Sequence, residues 1–250
     1  MIRLTLPEKP AELTEERETE LVNEFKLTNK AVWKKAFITE PLLKMSYGKC
    51  AYSEQKLNTE SAYMHVEHFK HKDQYPDLVV KWGNLLPSCQ KCNDTKHTWD
   101  VVEEPIVNPL EDTPADYLYV RAFRFYGKDK KGHNTIEAVA LNDREHFVEA
   151  RSTIAFKIAD TIQLLYERVQ EVDTEKKKRN CVNRIKSVLN ECGPKHVYSA
   201  VISTYILYEF DTYGVLKRFL KEQDLWDDEL VSIESLLRSV AMPAPTVNLL

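Results

Sequence analysis

Glu67 and His68 stand side by side, Asn84 follows, and Asn93 comes directly after Cys92, where a helix is expected to begin. A carboxylate next to an imidazole can divide metal ligation and proton abstraction from water between them. Successive side chains on a strand point to opposite faces, so both serve one site only at a strand's end. The loop from Lys70 to Pro76 provides that end. Asn84, between strand and helix, can bond backbone groups across the loop and fix its shape, or be a simple turn Asn after Gly83. Asn93 can turn its amide oxygen towards the metal that Glu67 faces. An incomplete, oxygen-rich shell of this kind suits Mg²⁺ or Mn²⁺ and leaves positions for water and phosphate.

Lys96, one turn beyond Asn93, is placed to contact a phosphate. His97, at i+4 from Asn93, shares its helix face and is a candidate extra metal or phosphate ligand, the alternative being a solvated helix His. His65 shares a strand face with Glu67, and His71 and Lys72 in the following loop read as substrate-side residues.

Cys50, Cys89 and Cys92 form a second constellation. A C-x-x-C pair plus a distant third thiol supplies three corners of a tetrahedral zinc site. The fourth would close a second C-x-x-C beginning at Cys50, but that position is Ser53. A hydroxyl is a poor zinc ligand because its deprotonation is costly. Either Glu54 or His65 substitutes, or the knuckle holds no ion and stands on packing and hydrogen bonds. Five Cys is an odd count that speaks against a disulfide framework, and Cys181 and Cys192 read as buried apolar thiols.

The elements that must carry these residues are mostly helical. Thr14 to about Met45 reads as helix, kinked or divided at Pro41. Cys50–Leu57 reads as a knuckle or hairpin, Tyr63–Phe69 as a short strand, and Cys92 to about Asp100 as a helix. Leu118–Tyr126 and Asn134–Ala140, split by a turn at Lys128–Gly132, suggest a β-hairpin. Further helices are expected over about Arg144–Val172, Thr174–Glu191, Pro194–Tyr213 before Gly214, Val215–Gln223 and Asp228–Val240. The fold class is α+β, predominantly helical, with a small catalytic module embedded between helical segments.

The 250 residues are 43% hydrophobic and 30% charged, an ordinary globular balance with ample length for a core. No run of about 18 apolar residues implies a membrane span. The first residues lack the apolar core of a signal peptide, so a cytoplasmic location is expected. A net charge of −4 is mild evidence against a free-standing nucleic-acid binder. The charge is uneven: Lys44–Trp99 holds eight Lys against six acids, and Glu222–Glu234 holds six acids and no cation. A partner that supplies part of the nucleic-acid affinity would fit that balance.

Together the words E-H-F at 67–69, W-G-N-L at 82–85 and C-x-x-C-N-x-x-K at 89–96 resemble the HNH (ββα-metal) endonuclease superfamily. The similarity is closer to the HNH subunit of Septu-type antiphage systems, the PtuB-like proteins, which also occur beside some retrons. Their pattern is met at residues 50–54, 67–72, 82–96 and 135–142 and departed from at Ser53 and His71, where Cys and Pro are more frequent. The likeness covers about residues 45–145 well and the rest loosely. It implies an N-terminal helical segment (1–44), an HNH nuclease domain (45–145) and a C-terminal helical, partner-binding domain (146–250). It implies His68 as general base, Glu67 and Asn93 as ligands of one catalytic divalent ion, and Asn84 as the residue orienting the loop and His68. Cys50, Cys89 and Cys92 correspond to a structural Zn²⁺ knuckle. The implied partners are a PtuA-like ABC-type ATPase, a DNA or tRNA substrate and, in some systems, a retron reverse transcriptase with its msDNA. The competing readings are a catalytically weak adaptor that uses the fold as a scaffold, and a stand-alone restriction-type nuclease, for which a more basic chain is expected.

Overall fold

The computed structural model describes residues 1–59 and 63–245. Two compact units emerge, one from Met1–Leu118 with Gly127–Leu141, the other from Tyr119–Tyr126 with the chain from Asn142 onward. Most of the described chain is helical, with two two-stranded sheets.

The first unit opens with α1 (Glu15–Thr28), capped by Thr14, whose side chain accepts from the Arg17 amide at 3.2 Å. Three acids in its first turn complement the helix dipole. It closes at Asn29, which adopts the left-handed conformation (φ 54°) that Asn tolerates. Helix α2 spans Ala36–Met45 with Pro41 inside it. The division expected at Pro41 therefore falls at Asn29. Proline removes a single bond, to the Phe37 carbonyl, and the buried Ile38 and Leu42 hold the helix across it. These residues pack with Leu21, Phe25, Val79, Val80, Trp82 and Leu85 into the core of the unit.

Strands β1 (His65–His68) and β2 (Leu85–Ser88) pair antiparallel, with Glu67 opposite Leu86 and His68 opposite Leu85. Helix α3 (Gln90–Lys96) follows at once and ends at Lys96, short of Asp100, because His97 takes a positive φ of 39°. Of the expected strand Tyr63–Phe69, only the central four residues are extended as a ladder. Helix α4 (Pro114–Tyr117) leads to β3 (Leu118–Arg121) and β4 (Arg124–Gly127), a hairpin turning at Ala122 (φ 46°) and Phe123 (φ 65°). Such a turn prefers Asn or Gly at both positions. Ala-Phe gives no turn signal, so the two strands read as one. The second expected strand, Asn134–Ala140, is instead largely helix α5 (Lys130–Ala138), started by Asp129, whose carboxylate accepts from the Gly132 amide at 2.8 Å.

In the second unit a π-helical turn at Arg144–Val148 runs into α6 (Glu149–Glu171), and Thr174 caps α7 (Glu175–Asn190). Helix α8 (Ser199–Thr204) continues through a π-helical turn (Tyr205–Glu209), followed by α9 (Asp211–Glu222) and α10 (Asp228–Val240). The break expected at Gly214 occurs at Phe210, and Gly214 lies inside α9. A helix-interior Gly costs only about 1 kcal/mol, which burial of Tyr213, Leu216 and Leu220 on that helix offsets. Cys181 and Cys192 are buried in this helical core. Arg151 is fully buried, its guanidinium 4.9 Å from the Phe125 ring centroid and 5.6 Å from that of Tyr198. Among the described residues no helix is long and apolar enough to cross a membrane.

Candidate active site and cysteine cluster

The β1–β2 ladder ends at His68, and the chain leaves it through a loop held by Asn84. The Asn84 amide oxygen accepts from the Lys70 N–H at 2.7 Å, while its nitrogen donates to the carbonyls of Lys70 (3.0 Å) and Leu78 (3.1 Å). Asn84 thus spends both donors and one acceptor site on backbone and is buried.

His68 is 5% exposed, with the Trp33 ring set edge-on at 4.6 Å. Its Nε2 lies 2.9 Å from the Val79 carbonyl oxygen. A carbonyl can only accept, so Nε2 carries the proton and Nδ1 is left with its lone pair. Burial holds the imidazole pKa down to about 4; the Val79 bond works the other way, and the cationic charge of Lys72, His71 and Lys96 adds to the depression. The ring is neutral at physiological pH.

Glu67 is 4% exposed, and Lys96 Nζ stands 2.6 Å from its Oε1. The contact is a buried ion pair, with the Lys96 ammonium set directly on Oε1. Burial raises the carboxyl from 4.5 to about 7, against the opposing pull of Lys96. Lys96 is itself 1% exposed and donates to the His68 carbonyl at 3.0 Å. That corrects its expected place: it braces Glu67 and the end of β1 from beneath rather than facing a phosphate. The reason is helical geometry, since Lys96 lies on the same buried face of α3 as Cys92, four residues back.

A cavity of about 590 Å³ is lined by His65, Glu67, His68, His71, Lys72, Asn93 and His97. Asn93 is half-buried; its amide nitrogen donates weakly to Asp94 at 3.4 Å, and its oxygen meets no donor among the described residues. The rings of His71 and His97 stack, with centroids 6.1 Å apart and planes 20° from parallel. His97 reaches this wall as the residue that terminates α3, not as part of the helix. His71 Nδ1 accepts from the Asp73 N–H at 3.3 Å, and burial followed by the charge of Lys72 lowers its pKa. Lys72 lies 3.4 Å from Asp73.

Trp33 and Lys34 from the break between α1 and α2, Thr39 inside α2, and Asp73 and Asp94 also line it. None was singled out as a site residue from the sequence. Trp33 reads only as a core aromatic, and nothing local to Lys34 or Thr39 signals that the N-terminal segment folds onto the end of β1.

The cysteine cluster gathers where β2 ends, with the Ala51 N–H donating to the Pro87 carbonyl at 2.8 Å. The sulfurs of Cys50, Cys89 and Cys92 are all within 4.8 Å of one another and buried. Ser53 fills the fourth corner: its hydroxyl is 3.6 Å from Cys89 Sγ and its N–H donates to Cys50 Sγ at 3.4 Å. Ser88 Oγ adds a contact to Cys50 Sγ at 3.7 Å. Burial opposes ionisation of Cys50, but hydrogen bonds from Cys89, Cys92 and Ser53 outweigh it and hold that thiol well below its ordinary pKa. Cys89 is pushed up to about 12, first by its bond to Cys50, and Cys92 is raised by burial. This donor set can hold a metal ion.

The alternative ligands point elsewhere. Glu54 is committed to Lys49 at 3.2 Å and to the Met1 amino group at 3.1 Å, and His65 lines the cavity.

The Septu protein PtuB of Bacillus thuringiensis is 36% identical over 258 aligned positions, covering 100% of this chain and 98% of that protein. The Septu protein PtuB of Bacillus mycoides is 28% identical over 210 positions, covering 65% of this chain and 70% of the relative. No family model matches the chain, and no solved structure matches it.

Proposed function

The chain belongs to the family of the Septu protein PtuB, and on that premise we propose that it is a metal-dependent HNH endonuclease, the nucleic-acid-cutting component of a Septu antiphage defence complex. The observation that carries this reading is the pinned tautomer of His68: Nε2 held by Val79 leaves Nδ1 with its lone pair, on a residue that lines one cavity with Glu67 and Asn93.

His68 Nδ1 takes the proton from a water as that water attacks phosphorus in line, a contribution of about 10²–10⁴ in rate. The imidazolium so formed is stabilised by the Val79 carbonyl. The Glu67 carboxylate and the Asn93 amide oxygen, which meets no donor among the described residues, would hold a single Mg²⁺ or Mn²⁺, with His97 at the edge of the same wall. Such an ion supplies Lewis-acid stabilisation of charge on the phosphate and the leaving oxygen. Lys96 sets the Glu67 carboxylate, Asn84 positions the loop behind His68, and His71 and Lys72 line the substrate side. Zn²⁺ is the ion that the three thiols would take, since a soft thiolate set at tetrahedral spacing selects it.

The remaining parts of the reading are a cytoplasmic location, an HNH module at residues 45–145 between helical segments, and a PtuA-like ABC-type ATPase docked on the C-terminal helices. The substrate is DNA or tRNA, and a retron reverse transcriptase with its msDNA is a further partner in systems that carry one.

The test is to co-purify the chain with the ATPase and assay DNA and tRNA cleavage in Mg²⁺ and in Mn²⁺, comparing wild type with His68→Ala. The variant should lose at least about 100-fold. Because His68 is buried against Trp33 and bonded to Val79, its folded fraction must be verified by circular dichroism beside the assay. Equal cutting by folded variant and wild type would overturn the assignment of His68 as the base, and no cutting by either would favour a scaffold adaptor. Activity without any ATPase would favour a stand-alone nuclease.

A further inference from the structure

The chain carries a net charge of −4, yet helix α7 holds six cations against one carboxylate, Glu175. Three of the six meet a carboxylate. Lys186 is buried with its ammonium 2.5 Å from Asp227 and 2.7 Å from Glu229, and Lys178 stands 3.7 Å from Glu175. Lys177 meets Asp173 at 3.1 Å, an exposed pair worth little. Arg184, and Arg168 on α6, meet no carboxylate among the described residues.

Arg168, Lys177 and Arg184 converge on a cavity of about 540 Å³ beside the buried Cys181, with the amides of Asn180 and Asn183 on its wall. Lys177, Asn180 and Arg184 fall at successive turns of α7, so they form one stripe. Cations that share a cleft with so little counter-charge raise its potential, and an incoming anion relieves it.

We infer that the α6–α7 cleft binds the phosphodiester backbone of nucleic acid, DNA or RNA. The inference rests on the endonuclease reading for its purpose, which is to hold a strand by residues other than those around His68. Arg forks pair with phosphate in a planar, two-pronged geometry. The lining also lacks the aromatic anchors that carry a protein–protein interface. Lys176 and Arg179, exposed on the same helix, extend the positive surface beyond the cleft, which suits an extended polyanion rather than a single phosphate.

The test is fluorescence anisotropy with the full chain in EDTA, using a labelled single-stranded DNA, the RNA of the same sequence and a labelled polyglutamate peptide across a KCl series. With Arg168→Gln/Arg184→Gln, the slope of log affinity against log salt should become shallower by about 1.4 for these single strands, and affinity should fall with it. Both side chains are exposed, so the thermal midpoint should not move. Equal loss for DNA and RNA means that backbone phosphate alone is read; loss confined to one identifies the strand type. An unchanged slope, no binding by wild type at low salt, or a preference for polyglutamate would each overturn the site, the last making it a protein-docking surface. Cleavage is read separately: no cutting by the wild-type complex would sink the endonuclease reading while leaving the salt slopes to judge the cleft.

Discussion

Replacing Glu67 by Gln in metal-free buffer uncovers two opposing pH dependences built into neighbouring residues. Burial lifts the Glu67 carboxyl from 4.5 to about 7 in spite of Lys96. Between those values the folded protein binds more protons than the unfolded chain, so this group's contribution to stability falls as pH rises through the window. At about 1.4 kcal/mol per pH unit the full loss is roughly 3 kcal/mol. His68 runs the other way, lowered from 6.5 to about 4. Its folded form binds fewer protons in that window, so its contribution is complete above 6.5 and lost as pH falls towards 4, again by roughly 3 kcal/mol. Where the windows overlap, the two slopes nearly cancel in the wild type.

Gln has the shape of Glu and does not titrate, so only the His68 dependence remains in the variant. The difference in stability, variant minus wild type, should move in favour of Glu67→Gln by roughly 3 kcal/mol between pH 4.5 and pH 8, or about 10 °C in thermal midpoint. The offset left by depriving Lys96 of its partner is the same at every pH in this range and does not enter that change. Thermal melts by circular dichroism in EDTA at stepped pH measure it. A difference that stays flat with pH, or moves the opposite way, would refute the reasoning. It would mean that Lys96 outweighs burial and that Glu67 is already ionised in acid. Below pH 7, added Mn²⁺ should bind up to about tenfold more tightly for each unit by which the pH is raised, because it must displace the Glu67 proton.

Ser53→Cys places a thiol where a hydroxyl now lies 3.6 Å from Cys89 and should bind one zinc per chain. At zinc one hundred times its dissociation constant, the gain is about 2.7 kcal/mol, some 5–10 °C. Metal analysis against graded chelator and melts with and without it check this, and a variant that holds zinc no more tightly than wild type would contradict it. Asn84→Ala strands the Lys70 amide and the Lys70 and Leu78 carbonyls. It should cost about 2–4 kcal/mol and lower kcat more than KM. A full loss of kcat with an unmoved melting midpoint would argue for direct contact with substrate instead.

The chemistry-bearing residues were legible in the sequence because each is named by type and by short-range spacing. Glu67-His68 at a strand end, Asn84 before β2, and Asn93 just inside α3 all belong to one run of fewer than thirty residues. Thr14, Thr174 and Asp227 announce their helices because a cap is a bond between near neighbours in sequence. The hairpin at Ala122-Phe123 was hidden because its residues lack the chemistry that its backbone normally demands, and tertiary packing overrides local preference there.

What only the tertiary structure decided was direction and company. It turned Lys96 inward onto Glu67 and the His68 carbonyl, set the protonated nitrogen of His68 through Val79, and brought Trp33 and Lys34 to the cavity from more than thirty residues away. It also placed Arg168 beside Arg184 across two helices. Sequence specifies which groups exist and how they repeat along an element. Which face of that element is buried, and against what, depends on contacts between distant segments, and those contacts set desolvation and so set the pKa values on which the chemistry turns.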